Sequence, residues 1–300
     1  MIDARGLKKI YGGFTAVDDI SFSVEDGEIF GVIGPNGAGK TTTLKMLAGL
    51  IEPTEGEADV AGFSSLDKEM RKYLGYLPEE SPLYEDMTGV NYLRFFADLY
   101  DVDRETADER IHSTLDRLEL THRDRKIGDM SKGMKRKVAI TRSLVNDPDV
   151  LLYDEPASGL DPLTTNYIIE FTRELSEQGK TVVFSAHNLY HVESICDRLV
   201  ILNEGEVVAR GTLKEIRSNH GGIEYRVYTD VEITDVEQEQ TDEGYVATFS
   251  SMGDVDSMTS QVKERGGEVI DIRSVEPSLE DIFLDVADGG NGEGWRCPGK

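Results

Sequence analysis

The feature that most constrains this 300-residue chain is a glycine-rich segment at residues 34–42, with the sequence GPNGAGKTT. It fits the pattern G-x-x-x-x-G-K-[S/T] and lies between a strand-like run at 28–33 and a helical pattern at 40–49, the context that the pattern requires. Glycines let the backbone curl so that successive N–H groups point at phosphate oxygens, and the helix N-terminus adds a positive dipole. The sequence therefore predicts a phosphate-binding loop, with Lys40 on the β- and γ-phosphates and the Thr41 hydroxyl on Mg²⁺. The predicted phosphate-binding residues are Gly34, Pro35, Asn36, Gly37, Ala38, Gly39, Lys40, Thr41 and Thr42.

Two carboxylates follow a buried, strand-like run at 150–153. Carboxylates at the carboxyl end of a strand beside a phosphate loop supply the charge that Mg²⁺ and an attacking water need. Asp154 is predicted to hold the metal, directly or through water, and Glu155 to polarise the water as a general base. Taken without the loop, the pair could equally be acids that cap the next turn; the loop favours the functional interpretation.

Short apolar runs alternate with long helical patterns, which is typical of an α/β fold. Residues 1–222 are predicted to form one domain, 223–288 a small α+β accessory domain with a βαβ-like order, and the glycine-rich stretch 289–300 a disordered tail. The predicted strands are 2–7, 14–17, 20–24, 28–33, 150–153, 181–185, 199–202, 207–210, 224–228, 245–250 and 268–275. The predicted helices are 40–49, 90–100, 104–118, 134–145, 162–178, 189–195, 255–265 and 279–286.

The net charge of the chain bears on which classes of partner it can bind. The chain holds 58 acidic against 32 basic side chains, a net charge of −26, which argues against a duplex nucleic-acid binder because phosphate contacts need a basic surface. A basic island at 123–137 stands out against this background. It is either a solvated helix face or a source of positive field around an incoming γ-phosphate. The apolar runs are far shorter than the ~20 residues that span a bilayer, so no membrane segment is expected.

Further motifs make the chain resemble the ATP-binding-cassette (ABC) ATPases over residues 2–217. Residues 130–134 (MSKGM) stand where that family has the signature Leu-Ser-Gly-Gly-Gln, 158–161 (SGLD) look like its D-loop, and 185–187 (SAH) look like its switch-histidine loop. Tyr11 resembles the aromatic residue that stacks on adenine. Glu79 occupies the position of the family's Q-loop glutamine, from which it can contact Mg²⁺ or its water.

The resemblance implies that ATP is held between two copies of the chain in head-to-tail orientation. Ser131 and backbone N–H groups near Gly133 would then grip the γ-phosphate held by the partner's loop, with Asp161 coupling the two sites. His187 would contact the γ-phosphate and orient the water with Glu155.

The implied fold is a P-loop ABC ATPase domain, with a mixed sheet, an antiparallel β subdomain and an α-helical subdomain, followed by the small α+β C-terminal domain. The sequence is similar to an exporter-type branch that carries such a domain, whose closing helix resembles residues 277–284. A separate transmembrane permease would dock on residues 81–100 and hold the subunit at the cytoplasmic face of the cell membrane. The alternative is a cassette ATPase that acts on nucleic acid or ribosomes; the short interval from Lys40 to Ser131 and the single set of motifs argue against it, and a metabolic kinase is a weaker third option.

Overall fold

A six-stranded sheet with one antiparallel edge organises the first part of the molecule. The computed structural model describes residues 1–186, 189–220, 224–233, 236–241, 244–275 and 278–287, and the chain divides between Thr212 and Leu213 into two units. Within the described segments, every helix falls short of the length or the apolar character that crossing a bilayer demands. The elements of the first unit are β1 (Ile2–Tyr11), β2 (Phe14–Val24), β3 (Ile29–Ile33), α1 (Lys40–Leu47), β4 (Glu55–Val60), β5 (Phe63–Ser64), β6 (Leu74–Leu77), α2 (Gly89–Leu99), α3 (Arg104–Arg117), α4 (Lys132–Arg142), β7 (Val150–Asp154), α5 (Pro162–Glu177), β8 (Thr181–Ala186), α6 (Leu189–Ile195), β9 (Arg198–Asn203) and β10 (Glu206–Gly211).

The sheet runs in the order β10-β9-β3-β8-β7-β6. The five strands from β9 to β6 in this order are all parallel to one another, and the edge strand β10 is antiparallel to β9. Every residue of β3, β7 and β8 is buried, as expected for central strands covered on both faces. The parallel direction brings the carboxyl ends of β3, β8, β7 and β6 to one edge, where the loops that follow them meet.

An antiparallel sheet and a helical subdomain complete this unit. Strands β2, β1, β4 and β5 form the second sheet, and a shared apolar core joins it to α1 and the six-stranded sheet. Helices α2, α3 and α4 enclose a separate core around Leu93, Ile111 and Val138. The mixed sheet, the antiparallel subdomain and the helical subdomain confirm the predicted fold class.

Several elements differ from the sequence prediction. Strand β2 is continuous where two strands were expected, and it passes through Asp19 at a φ of +50° with irregular pairing to β1. Helix α4 begins at Lys132 rather than 134 because the Ser131 side chain caps it, accepting a hydrogen bond from the Met134 N–H at 3.3 Å. Strands β4, β5 and β6 were not predicted.

The second unit is a four-stranded antiparallel sheet with one helix on its face. Its elements are α7 (Leu213–His220), β11 (Glu224–Thr229), β12 (Glu239–Thr241), β13 (Gly244–Phe249), α8 (Met252–Glu264), β14 (Val269–Val275) and α9 (Leu279–Ala287). Strands β13 and β14 both pair with β11 between them, so they are parallel to each other and joined through α8 in a split β-α-β arrangement. Val227, Ala247, Val255, Met258 and Val262 form its buried core. The unit begins with α7, before the predicted boundary at 222, and the predicted tail 289–300 lies outside the described residues.

Candidate functional site

The segments predicted to carry the site chemistry meet at the carboxyl edge of the six-stranded sheet. The loop 34–39 follows β3, Asp154 ends β7 with Glu155 directly after it, and Glu79 lies just beyond β6. His187, expected after β8, lies outside the described residues. The segments enclose a cleft of about 500 Å³. Its lining residues are Tyr11, Phe14, Ala16, Pro35, Asn36, Gly37, Gly39, Lys40, Thr41, Thr42, Glu79 and Glu155.

Two aromatic rings stand at one end of this cleft. Tyr11 and Phe14 face each other across the β1–β2 hairpin, and they are 46% and 66% exposed. An exposed aromatic pair at the mouth of a cleft offers a flat apolar surface to a planar base. Tyr11 was predicted here; Phe14 was missed, although its place three residues after Tyr11 across two glycines is a hairpin signal.

The phosphate loop is held tightly against the protein beneath it. Gly34 has a φ of +154°, and a Cβ at this position would lie 2.3 Å from the Leu202 carbonyl oxygen and 2.9 Å from the Ala38 Cβ. Lys40 folds back over the loop, where its Nζ donates to the carbonyls of Gly34 at 2.8 Å and Pro35 at 3.2 Å. These two hydrogen bonds hold the ammonium against the loop, and the Lys40 side chain is only 6% exposed.

The oxygen groups around Asp154 suit a magnesium ion. Asp154 is 1% exposed and accepts a hydrogen bond from the Ser185 hydroxyl at 2.6 Å, while Thr41 and Glu79 line the adjoining cleft. The Tyr76 hydroxyl is buried with no hydrogen-bond partner in the described part of the chain; burial, reinforced by the Asp154 charge, raises its pKa. The described residues contain no cluster of three or more His, Cys, Asp or Glu side chains that would form an all-protein metal cage. One or two carboxylates with a hydroxyl are what Mg²⁺ takes when substrate phosphates and waters complete its shell, so the residues fit.

Glu155 is presented to the cleft by a strained turn. Its φ is +49°, which is uncommon for a side-chain-bearing residue and costs on the order of 1–3 kcal/mol. The carboxylate is 3.4 Å from the Lys40 ammonium, with both side chains nearly buried. Strain of this kind persists only where the surroundings hold it, and it is common at active sites.

Arg136 is a site residue that the sequence interpretation missed. Its guanidinium, on α4, is buried and donates to backbone carbonyls at the ends of β6 and β7. Burial lowers its pKa to about 10, with the Asp154 charge opposing the shift, so it remains cationic at neutral pH. The signal that could have found it is its spacing from Ile140, four residues later, which places Arg136 on the buried face of the helix.

Three further side chains of the basic island have local partners. Arg123 pairs with Asp116, and the Lys135 ammonium lies 3.0 Å from the Glu85 carboxylate. The Lys137 ammonium lies 5.1 Å from the centre of the Tyr167 ring. Arg123 and Lys135 are each paired with an acid, which reduces the positive field that these two side chains could add around a γ-phosphate.

The signature and D-loop residues lie outside the cleft of their own chain. The Ser131 side chain is at the exposed start of α4, and Asp161 caps α5 by accepting from the Thr164 N–H at 3.0 Å and the Thr164 hydroxyl at 2.7 Å. These hydrogen bonds hold the pKa of Asp161 below its ordinary value. Gly133 faces the same threonine, since a Cβ there would lie 3.1 Å from the Thr164 Cγ2. The structure thus places Ser131, Gly133 and Asp161 near one another and apart from the phosphate loop.

Known proteins share this fold and resemble this sequence. Residues 17–158 match the ABC transporter family model, and 211–287 match the C-terminal domain of the ATP-binding protein DrrA1-3-like family. The ABC transporter ATP-binding protein sll0415 of Synechocystis is 35% identical over 95% of this chain and 84% of its own length. The linearmycin resistance ATP-binding protein LnrL of Bacillus subtilis is 39% identical over 74% of this chain and 72% of its own. The Nod factor export ATP-binding protein I of Burkholderia orbicola is 40% identical over 70% of each chain.

Solved structures agree with these relatives. The ATP-binding subunit of an ABC transporter matches with a TM-score of 0.68 and 34% identity, covering 73% of this chain and 92% of that one. A dimeric post-hydrolysis state of an ATP-binding cassette, bound to ADP and phosphate, matches with a TM-score of 0.66 and 26% identity, covering 71% and 99%. The chain therefore belongs to the ATP-binding proteins of ABC transporters: it is an ATP-binding ATPase subunit, and it carries the C-terminal domain of the DrrA1-3-like branch.

Proposed function

We propose that this ATPase powers export through a separate transmembrane permease, at the cytoplasmic face of the cell membrane. The names of two relatives, in linearmycin resistance and Nod factor export, support export as the direction. The observation that supports a permease as the partner is an apolar patch on the helical subdomain, within the segment 81–100. Here Tyr84, Phe95, Leu99 and Tyr100 are 54%, 39%, 62% and 42% exposed.

This patch has the character of a docking surface. The Tyr84 and Phe95 ring centres are 6.0 Å apart, and Leu99 follows Phe95 by one helical turn on α2. Clustered exposed aromatic and aliphatic side chains favour a protein partner, whereas single exposed apolar residues do not. The chemistry that this patch suits is an apolar surface helix of a membrane subunit.

In the proposed catalytic cycle, Tyr11 stacks on the adenine ring, and the N–H groups of the loop 34–39 hold the phosphates. Lys40, now bonded to loop carbonyls, donates to the β- and γ-phosphate oxygens. Thr41, Asp154 and Glu79 would hold Mg²⁺, which would supply positive charge that neutralises the phosphates. Glu155 accepts a proton from the water as its oxygen bonds to the γ-phosphorus, the bond from that phosphorus to the β–γ bridging oxygen breaks, and ADP and phosphate are the products. His187 would contact the γ-phosphate.

A second copy of the chain completes the site. Because Ser131 and Gly133 lie apart from their own phosphate loop, they are available to the γ-phosphate held by a partner. Asp161 would couple the two sites. Two identical sites on a two-fold axis follow from one loop and one signature per chain. The dimeric cassette among the structural relatives supports this assembly.

Co-purification from native membranes tests the permease. A tagged chain should retain a polytopic membrane protein, and substitution of Phe95 and Leu99 by serine should abolish that retention while the folded content stays unchanged by circular dichroism. Leu66→Ser, at a similarly exposed leucine (48%) on another surface, is the matched control and should retain the partner. Recovery of ribosomes or nucleic acid in place of a membrane protein would favour the alternative, a cassette ATPase that acts on those partners.

A further inference from the structure

One buried guanidinium ties three parts of the ATPase site together. Arg136, 8% exposed, donates to five carbonyl oxygens on two chain segments. The first segment follows β6, where Nη1 donates to Pro78 at 2.7 Å and to Glu79 at 3.0 Å. The second follows β7, where Nη2 donates to Asp154 at 3.0 Å and to Glu155 at 2.8 Å, and Nε donates to Pro156 at 2.7 Å.

The contacts fix the Glu155 peptide units from both sides. The Glu155 N–H donates to the Ser185 hydroxyl at 2.9 Å, and the Glu155 carbonyl accepts from Arg136. Between these two anchors the backbone adopts its strained φ of +49°. Since the direction of the Glu155 side chain depends on that backbone angle, the two hydrogen bonds also set where the carboxylate points.

Only arginine matches this arrangement. A guanidinium presents five N–H donors in one plane, whereas a lysine ammonium has three donors at a single point. The five partners of Arg136 are all carbonyls, so the contact is directional rather than a simple ion pair. A contact that existed only to stabilise α4 would need neither five donors in one plane nor partners in both the loop after β6 and the loop after β7.

We propose that Arg136 is a positioning residue that sets the backbone of Glu155 for water activation and links it to the Glu79 loop and to the signature helix α4. The inference rests on the proposed role of Glu155 as general base. Because Arg136 is the fifth residue after the signature Ser131, a displacement of α4 on dimer formation is transmitted to both loops through one side chain.

The test compares Arg136→Gln and Arg136→Lys with Arg142→Gln, each in the parent and in a Glu155→Gln background. Arg142 is the matched control, because it lies on the same helix and bonds the Tyr92 hydroxyl at 2.9 Å, away from the cleft. The readouts are kcat, single-turnover hydrolysis, the Kd of a fluorescent ATP analogue and Tm. Arg136→Gln should lower kcat about 100-fold, as expected for a misplaced catalytic group, with Kd changed less than twofold. The kcat of Arg136→Lys should lie between those of Arg136→Gln and the parent. The kcat of Arg142→Gln should stay within threefold of that of the parent.

The Glu155→Gln background separates positioning from stability. If Arg136 acts through Glu155, adding Arg136→Gln there should change the residual single-turnover rate by less than threefold. A further large loss in that background, or losses of kcat, affinity and Tm in parallel, would overturn the proposal. Failure of the proposed base itself would be visible separately, as parental turnover in Glu155→Gln alone.

Discussion

The phosphate loop has a structural role and a ligand-binding role, and substitutions at two of its glycines test these roles separately. In each case the substitution to alanine adds a single methyl group. Gly34 and Gly37 have φ values of +154° and +88°. A Cβ on Gly34 would lie 2.3 Å from the backbone oxygen of Leu202, whereas a Cβ on Gly37, which lines the nucleotide cleft, would have no protein atom within 4 Å. We therefore expect Gly34→Ala to damage the fold and Gly37→Ala to damage nucleotide binding.

The magnitudes follow from the contacts. In Gly34→Ala, the backbone must move by about 1 Å to relieve the overlap, which costs about 1–3 kcal/mol, and the positive φ adds about 1 kcal/mol. For a unit of this size, each kcal/mol lowers Tm by about 2–4 °C, so the expected fall is roughly 4–16 °C. Gly37→Ala carries only the conformational cost of about 1 kcal/mol, a fall of about 2–4 °C. Its methyl group should weaken ATP binding about tenfold or more, because the close backbone approach to phosphate is lost.

The assay is thermal unfolding followed by circular dichroism, with and without a non-hydrolysable ATP analogue, together with direct titration of the analogue. At about 100 times its Kd, the analogue should stabilise the parent by about 2.7 kcal/mol, and at the same concentration it should stabilise Gly37→Ala clearly less. Equal Tm losses in the two variants without ligand would refute the steric reasoning. Unchanged affinity in Gly37→Ala would refute the placement of phosphates against this loop.

Three further outcomes are expected. Tyr11→Ala should weaken ATP binding about two- to tenfold by titration while Tyr11→Phe binds as the parent does, since an aromatic contact contributes about 0.5–1.5 kcal/mol; equal affinities in all three would exclude stacking. Ser131→Ala and the control Thr88→Ala both remove a helix cap, each at a cost of about 1 kcal/mol in urea unfolding, but only the first should impair ATP-dependent dimerisation by light scattering. The bidentate contact with Arg94, at 2.6 and 2.8 Å, holds the pKa of Asp108 below its ordinary value, so its stabilising effect is present at neutral pH and disappears as the pH falls through the folded-state pKa. Asp108→Asn should therefore lower the urea midpoint at pH 7 by an amount equivalent to about 1 kcal/mol or less and make no difference at strongly acidic pH, and a loss that is the same at both would contradict this origin.

The phosphate loop and the strands beside it were predictable because their signals are local. The loop's glycines, the apolar run before it and the helix after it lie within about twenty residues, and each step has its own physical reason. The predicted cleft residues Tyr11, Glu79 and Glu155, which are far apart in sequence, lie together because the strand order brings their segments to one place. No local signal specifies that order; the family resemblance supplied only the expectation that these residues share one site.

The residues and elements that escaped prediction depend on long-range partners. Strand β4 contains three acidic side chains and reads as a loop, yet it pairs with β1, where Arg5 bonds both Glu57 and Asp59. Arg136 resembles its basic neighbours in sequence, and its carbonyl partners become visible only when the ends of β6 and β7 are placed against α4. In both cases the charged side chains suggested an exposed loop or an exposed helix face. The fold instead pairs β4 with β1 and surrounds the Arg136 guanidinium with carbonyl oxygens.

The most direct test of the proposed ATP-driven cycle is the oligomeric state of Glu155→Gln with ATP and Mg²⁺, measured by size-exclusion chromatography with light scattering. If Glu155 activates the water and ATP is held between two copies, this variant should be a stable dimer with ATP and a monomer without nucleotide. Its turnover should fall far below that of the parent. A variant that remains monomeric with saturating ATP would contradict the shared site, and one that hydrolyses ATP at the parental rate would contradict the assignment of the base.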